Sequence, residues 1–480
     1  MRVQRYIIFF FFFTQQYISS ANAQLCNGSL GDPVVNITFG SSASPDNTSY
    51  VPSGAYTFTS STCPNDGNYT ITSSSPACFG STWHSIPKDH TGNGNFMLVN
   101  ASYNPGDFFL TTVSGLCPNT TYEFAAWIMN VLVPFGIRPN VTFRIEKPDG
   151  TILGEYNTGD ITENSQPAWH QYGLFFTTPL TDASIVLRIT NNAPGGIGND
   201  LALDDITFRP CGGSITASIP GTNDSLNFCE GNTDVYTINA TVSSAYQQPY
   251  YQWQVSADSG ESWTDIPGAN SNSYTRQPTG SGRYMYRLTV TELTSAGIKA
   301  CRIASNNIVF NVHAKPFVNA GPDRFVITGD SITLNANVTG EDPIYTWSPP
   351  DYLSNISELN PRVSPPADIT YSLSASSSFG CNNSDNVSIK VIGGIYVPTA
   401  FTPNGDGKND TWRIPYLDPE WEALVSVYNR YGQIIFSGKG TSISWDGTFN
   451  GVQQKADTYI YILKIPSKNL TLKGTVTLIR

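Results

Sequence analysis

Asn140-Val-Thr-Phe-Arg-Ile145 alternates polar and apolar side chains, the pattern of a strand with one buried face and one wet face. The same period of two recurs in Ser184-Ile-Val-Leu-Arg-Ile189 and in Ser331-Ile-Thr-Leu-Asn-Ala-Asn-Val338, each bounded by turn residues. No stretch sustains a helical period, and Asp418-Pro-Glu-Trp-Glu422 has room for a single turn. The expected fold class is therefore all-β, built as tandem β-sandwich modules. A chain of 480 residues exceeds what one core organises, and the Gly/Pro/Ser clusters at Cys211-Gly-Gly-Ser214, His313-Ala-Lys-Pro316 and Ile392-Gly-Gly-Ile395 divide it. The resulting segments are 24–211, 212–314, 315–392 and 393–480.

The N-terminus carries Arg2 and Arg5, then the apolar run Tyr6 to Phe13, then Ala21-Asn22-Ala23 before Gln24. That order is the pattern of a secretory signal peptide over 1–23, and the run is too short to span a bilayer. No transmembrane segment is expected in the mature chain. Only 13% of residues are charged, 32 are Pro, and the net charge of −11 is spread without a basic stripe. This argues against nucleic acid and against docking on anionic membranes, and neither partner is expected.

Eight cysteines in an exported chain point to disulfides. Cys63 and Cys78 flank a short Ser/Thr-rich stretch and could close a local hairpin, and Cys229 and Cys301 bracket one candidate sandwich. Cys26, Cys117 and Cys211 leave an odd number in the first segment, and Cys381 stands alone in the third. Spacing does not settle the pairing. Without a Cys-x-x-Cys or a Cys/His cluster, thiolate metal binding is disfavoured.

The last segment begins Tyr396-Val-Pro-Thr-Ala-Phe-Thr-Pro-Asn-Gly-Asp-Gly-Lys-Asn-Asp-Thr-Trp412 and continues through Val425-Ser-Val-Tyr-Asn-Arg-Tyr-Gly-Gln-Ile-Ile-Phe436, Trp445-Asp-Gly447, Asp457-Thr-Tyr-Ile-Tyr461 and Lys473 to Arg480. In these linked motifs it resembles the gliding motility-associated C-terminal domain family. The resemblance implies an immunoglobulin-like sandwich that the type IX secretion machinery reads at the outer membrane, and a secreted or surface-attached bacterial protein. Within it, Asn404, Asp406 and Asp410 place oxygen ligands at spaced positions among glycines, as a structural calcium would need; a side-chain-capped turn is the other reading.

Residues 317 to 392 resemble the PKD family of immunoglobulin-like domains through Asn319-Ala-Gly-Pro-Asp323, Tyr345-Thr-Trp-Ser-Pro349 and Thr370-Tyr-Ser-Leu373, which implies a spacer with Trp347 in its core. Tyr251-Gln-Trp-Gln-Val255 and Tyr284-Met-Tyr-Arg-Leu288 resemble immunoglobulin-like repeats of bacterial adhesins. Ser256 to Trp263 between them fits an Asp-box, a structural hairpin with an indole packed beneath it.

The first segment resembles galactose-binding-like jelly rolls and carbohydrate-binding modules through Gly115 to Trp127 and Ile189 to Ile206. In Tyr122-Glu-Phe-Ala-Ala-Trp-Ile128 the core-facing set is Tyr122, Phe124, Ala126 and Ile128, so Trp127 points outward, where a flat ring can stack on a sugar. A loop covering Trp127, with Trp169 in the core, is the competing reading. Asn130, His170, Tyr172, Asn191 and Asn192 are the candidate polar partners. Asp205, beside Asp204 at the start of the last strand of this segment, is a candidate calcium ligand or a turn cap. Four histidines without a nucleophile motif, and no phosphate or dinucleotide loop, give catalysis little support. The expected function is an adhesin or a glycan- or protein-binding surface protein, not an enzyme. A displayed divergent hydrolase and a purely structural surface protein are the alternatives.

Overall fold

The computed structural model describes residues 25–41, 44–45, 55–133, 136–180 and 184–480. The expected signal peptide lies outside the described residues. Among the described residues the architecture is all-β, and the only helical elements are 3-10 turns of three residues, one of them Pro419–Trp421. Asp418 caps that turn by accepting the Glu420 N–H at 3.0 Å. No helix of the described residues is long and apolar enough to cross a membrane. Contacts divide the chain into two compact units, 1–225 with 235–277 and 284–309, and 226–234 with 278–283 and 310–480.

The first unit is dominated by two facing sheets. The larger runs His170–Thr177, Thr121–Asn130, Leu201–Gly212, Phe96–Asn100, Asn68–Thr72 and Thr57–Phe58, with Ser29–Leu30 and Val35–Ile37 also paired to Leu201–Gly212. The smaller runs Ile152–Asp160, Asn140–Glu146, Ile185–Asn191 and Gly106–Val113. The alternation read from the sequence is realised: Val141, Phe143 and Ile145 are wholly buried, and Phe143 meets Phe124 of the opposite sheet with ring centroids 5.0 Å apart. Burying each such side chain contributes roughly 1.5–3 kcal/mol. In the same unit, Pro249–Ser256 pairs antiparallel with Met285 to Glu292 around a fully buried Trp253.

The second unit contains the four-stranded sheet Arg324–Ile327, Asn382–Ile392, Ile369–Ser376 and Ile344–Ser348. Trp347 is buried there and donates its Nε1–H to the Glu358 carbonyl at 3.1 Å. The strand expected over Ser331 to Val338 is broken into Ile332–Thr333 and Asn337–Thr339, which pair in different two-stranded sheets. The five-stranded sheet Ala400–Phe401, Leu470–Leu478, Asp457–Ile465, Leu424–Tyr428 and Ile434–Lys439 closes over Trp412, Trp445, Tyr459 and Leu463. Gly447 there has φ 81°, and a Cβ added to it would meet Leu478 Cδ1 at 2.7 Å, so the Trp445-Asp-Gly447 turn requires glycine.

Four disulfides join Cys26 to Cys211, Cys63 to Cys78, Cys117 to Cys301 and Cys229 to Cys381, and no cysteine is free. Cys229 and Cys301 bracket a sandwich in sequence but do not bond to each other. Cys229 ends the strand Ser225–Cys229, where Glu230 N–H reaches the His313 carbonyl at 2.8 Å, and Cys381 Sγ lies 3.8 Å from that same carbonyl. Cys301 is delivered to Cys117 in the core of the first unit. Cys381 is thus bonded, and the odd count in the first segment is resolved by Cys301.

Candidate functional site

The outer face of the larger sheet in the first unit is set by strand parity. On Thr121–Asn130 the residues Tyr122, Phe124, Ala126 and Ile128 are buried inward, and Glu123, Ala125 and Trp127 take the other side. Gln171 sits directly opposite Trp127 on the neighbouring strand. On the other neighbour a bulge between Asp204 and Thr207, with φ 45° at Asp205, turns Asp205 toward the same face, followed by Thr207 and Arg209. Together with Asn36, Thr38 and Thr91 these residues line a cavity of about 610 Å³.

His90, which sequence reasoning did not single out, organises the cavity. Asp89 holds its loop by accepting the Thr91 hydroxyl and the Gly92 N–H, both at 2.6 Å. The His90 ring lies flat on Trp127, with centroids 3.8 Å apart and planes 20° apart, and its Nδ1 meets Asp205 Oδ2 at 2.7 Å. Trp127 therefore faces outward, as parity requires, and one side of its ring is covered by a loop residue. Trp169 is half-buried, edge-on to His90 at 6.2 Å and to Phe96 at 5.8 Å.

Most of the polar partners expected from sequence are elsewhere. Asn130 is buried, donating to the Ile161 carbonyl and accepting the Leu132 N–H. Tyr172 packs on the core between the sheets, and His170 shares its parity and pairs with Asn164 at 3.2 Å. Asn191 is buried and accepts the Ala193 N–H. Asn192 lies on the outer face of the smaller sheet, bonded to Asn140 and Thr142. The cavity takes its polar groups instead from His90, Glu123, Gln171, Asp205 and Arg209.

Each calcium candidate is engaged by groups of the protein itself. Asp205 is paired with His90. Asp410 accepts the Gly405 and Gly407 N–H groups, and Asp406 accepts the Lys408 N–H, which makes 404–410 a side-chain-capped turn. Among the described residues no group of three or more His, Cys, Asp or Glu could hold a metal ion.

The cavity's carboxylates are unequal. Glu123 is buried, which raises its carboxyl above the usual range, although the Cys26 N–H at 2.6 Å and the nearby Arg209 oppose this. Asp204, fully buried beneath the His90 loop, accepts the His90 N–H at 3.0 Å and the Asp205 N–H at 2.8 Å. Burial first, then the charges of Asp205 and Asp89, push it up to about 8. Burial likewise pushes Asp200 up to about 7, though it accepts from Trp83 Nε1 and the Ala101 N–H. An acid whose folded pKa lies above its unfolded value of 3.8 holds its proton more tightly when folded. Stability is then greatest at low pH and falls as pH rises from about 4 to about 8. The expected result is a lower urea midpoint for the first unit at pH 8.5 than at pH 5, with a shallower slope in Asp204→Asn; equal slopes in the two proteins would refute it.

A second cavity of the same unit, about 450 Å³, is lined by Pro33, Gln254, Trp263 and Arg302. The hairpin that carries Trp263 is shaped as the Asp-box pattern implies: Asp258 accepts from Ser256 Oγ and from the Ser262 N–H and hydroxyl. Arg287 stacks its guanidinium 3.9 Å from the centre of the Trp263 ring and reaches both Asp32 oxygens.

Residues 395–478 match the family described as CHU_C Type IX secretion signal domain, and residues 202–314 match a domain of unknown function, DUF8696. No curated protein matches the chain. Similar solved structures include the human Desmocollin-1 ectodomain, 11% identical, covering 86% of this chain and 92% of that one at TM-score 0.22. The apo form of a cyclase from Fischerella sp. is 16% identical, with coverages of 40% and 91% and TM-score 0.25. A structure titled "CBM4 structure and function" is 13% identical, with coverages of 30% and 86% and TM-score 0.20. Likenesses this loose add nothing to the all-β architecture seen in the chain itself. The secretion-signal match does carry weight: the protein is bacterial, secreted or displayed at the cell surface, and it engages the type IX secretion machinery.

Proposed function

We propose that the protein is a non-enzymatic surface binder, an adhesin-like protein whose first unit takes a neutral glycan in the cavity beside Trp127, carried by a PKD-like spacer and the secretion domain. The observation that supports this most directly is the composition of that cavity: a half-buried indole with amide, hydroxyl and paired charged groups around it, at about 610 Å³. Pockets of roughly 300–1,000 Å³ with a few convergent polar groups are the usual form of small-ligand sites. The polar groups there are largely satisfied internally, His90 by Asp205 and Glu123 by the Cys26 N–H, which suits a neutral polyhydroxylated ligand.

Glu123 and Asp205 in one cavity favour one competing reading, hydrolysis by paired carboxylates. The more strongly raised Asp204 is fully buried and turned to backbone N–H groups, so it is out of reach of a substrate. Calorimetry of the mature full chain with cellohexaose, xylohexaose, mannohexaose and laminarihexaose is expected to find binding to at least one, weakened about tenfold, ~1.4 kcal/mol, by Trp127→Ala. Binding to none of the four overturns the glycan reading, and release of reducing ends during incubation replaces the binder with a hydrolase.

A further inference from the structure

We propose that the outer face of the sheet formed by Leu424–Tyr428, Ile434–Lys439, Asp457–Ile465 and Leu470–Leu478 is the surface the export machinery grips, and that the gripping protein offers apolar side chains bordered by carboxylates. The proposal rests on the export reading of residues 395–478 and goes on to say which side chains are read.

Strand register fixes the face. Val425, Val427, Tyr459, Tyr461, Leu463 and Val476 point into the core. The opposite side carries three rows. Ile434, Tyr428, Ile460 and Thr475 are direct cross-strand neighbours; Ser437, Ser426, Ile462 and Lys473 form the next row; Lys439, Leu424, Lys464 and Thr471 form the third. An antiparallel sheet facing water normally shows polar residues on that side. Here Ile434 is 46% exposed, Ile460 50% and Leu424 41%. Single exposed apolar residues are ordinary, but Ile434 and Ile460 flank Tyr428 in one row, Ile462 continues the patch toward Leu424, and Tyr431 at the hairpin tip is 81% exposed.

The charge on this face has one sign. Lys439, Lys464 and Lys473 are exposed, and none of its three rows contains a carboxylate. Lys439 and Lys464 stand on either side of Leu424 in one row, which leaves this part of the face positive. The rest of the molecule is opposite in sign: the whole chain has 26 Lys and Arg against 37 Asp and Glu, whereas residues 395–480 have nine against seven. A partner with carboxylates around an apolar centre complements the lysines and covers the isoleucines in one contact.

The test compares periplasmic and exported full-length chain in native cells. One variant carries Lys439→Glu, Lys464→Glu and Lys473→Glu; a second carries Ile434→Ser and Ile460→Ser; a third replaces the three lysines by arginine. The retained protein is checked for four disulfides and an unchanged thermal midpoint, so that misfolding is not mistaken for lost docking. Each of the first two is expected to lower the exported fraction about tenfold while the arginine variant is exported normally. Normal export of either of the first two overturns the proposal, as does normal export with lost self-association, which would assign the face to a second copy of this chain. Retention of a chain lacking 395–480 while the face variants are exported leaves the export reading standing and removes only this surface. Export of the truncated chain removes both.

Discussion

A chain truncated after residue 394 should remain in the periplasm while the full-length protein reaches the surface or the medium, since residues 395–478 are what the secretion-signal family describes. The truncation has a second consequence that the experiment must separate from the first. Phe325, Ile327 and Ile392, all outside the deleted stretch, pack against the C-terminal core, so their apolar surface becomes exposed when that core is removed. Losing that burial weakens the neighbouring sheet, and a periplasmic protease could then clear the product. A passenger protein carrying residues 315–480, with Cys381→Ser because its partner Cys229 is absent, resolves the ambiguity, since it keeps those apolar contacts intact. Export of the passenger together with retention of the truncated chain establishes the address. A passenger left in the periplasm would mean that residues 315–480 are insufficient and that residues before 315 contribute to recognition.

Much of the fold was legible because alternation is a local property. The run at Asn140 became a strand with the expected residues inward, and the motifs from Tyr396 onward led to the secretion domain. The strand expected at Ser331 failed because Asn335 and Ala336 lie between two short strands that pair with different partners, which a window of eight residues does not reveal. The local disulfide Cys63–Cys78 formed as its spacing allowed, but Cys229 and Cys301 do not bond to each other, for a related reason. Cys229 and Cys381 are 152 residues apart, and Cys117 and Cys301 are 184 apart, brought together only by tertiary packing.

The site was legible in part. Parity correctly turned Trp127 outward. The same parity, applied with equal strictness, places Asn130 on the inner side with Ile128, and Asn191 with Ile189, so the sequence already argued against both. Gln171 could be found only once the hairpin register placed it opposite Trp127. His90 lies in an irregular loop held by Asp89, and Asp205 reaches the face through a bulge; neither has a periodic signal.

The buried ion pair between Arg324 and Asp418 should be the most costly polar contact to break in the second unit. Arg324 Nε and Nη2 reach Asp418 at 2.8 and 3.0 Å, and Asp418 also accepts the Phe325 and Glu420 N–H groups at 2.9 and 3.0 Å. Their side chains are 2% and 0% exposed, so neither can turn to water when the other is removed. Removing one partner of such a pair typically costs about 3–5 kcal/mol, because a desolvated charge is left behind. Asp418→Ala is therefore expected to lower the urea midpoint of the second unit by an amount in that range, and to free the 3-10 turn Pro419–Trp421 of its cap. Glu420, which also reaches Arg324 Nη2 at 2.7 Å, is half-exposed and compensates only in part. The partly exposed pair of Lys468 and Asp330 is the internal control, since surface pairs contribute about 0–1 kcal/mol and Lys468→Ala should change little. Replacing both buried partners together, as Arg324→Met with Asp418→Leu, should recover most of the loss, because no unpaired charge remains. If Asp418→Ala were as mild as Lys468→Ala, the two groups would have to be solvated in solution, and the burial that makes this contact costly to break would be wrong.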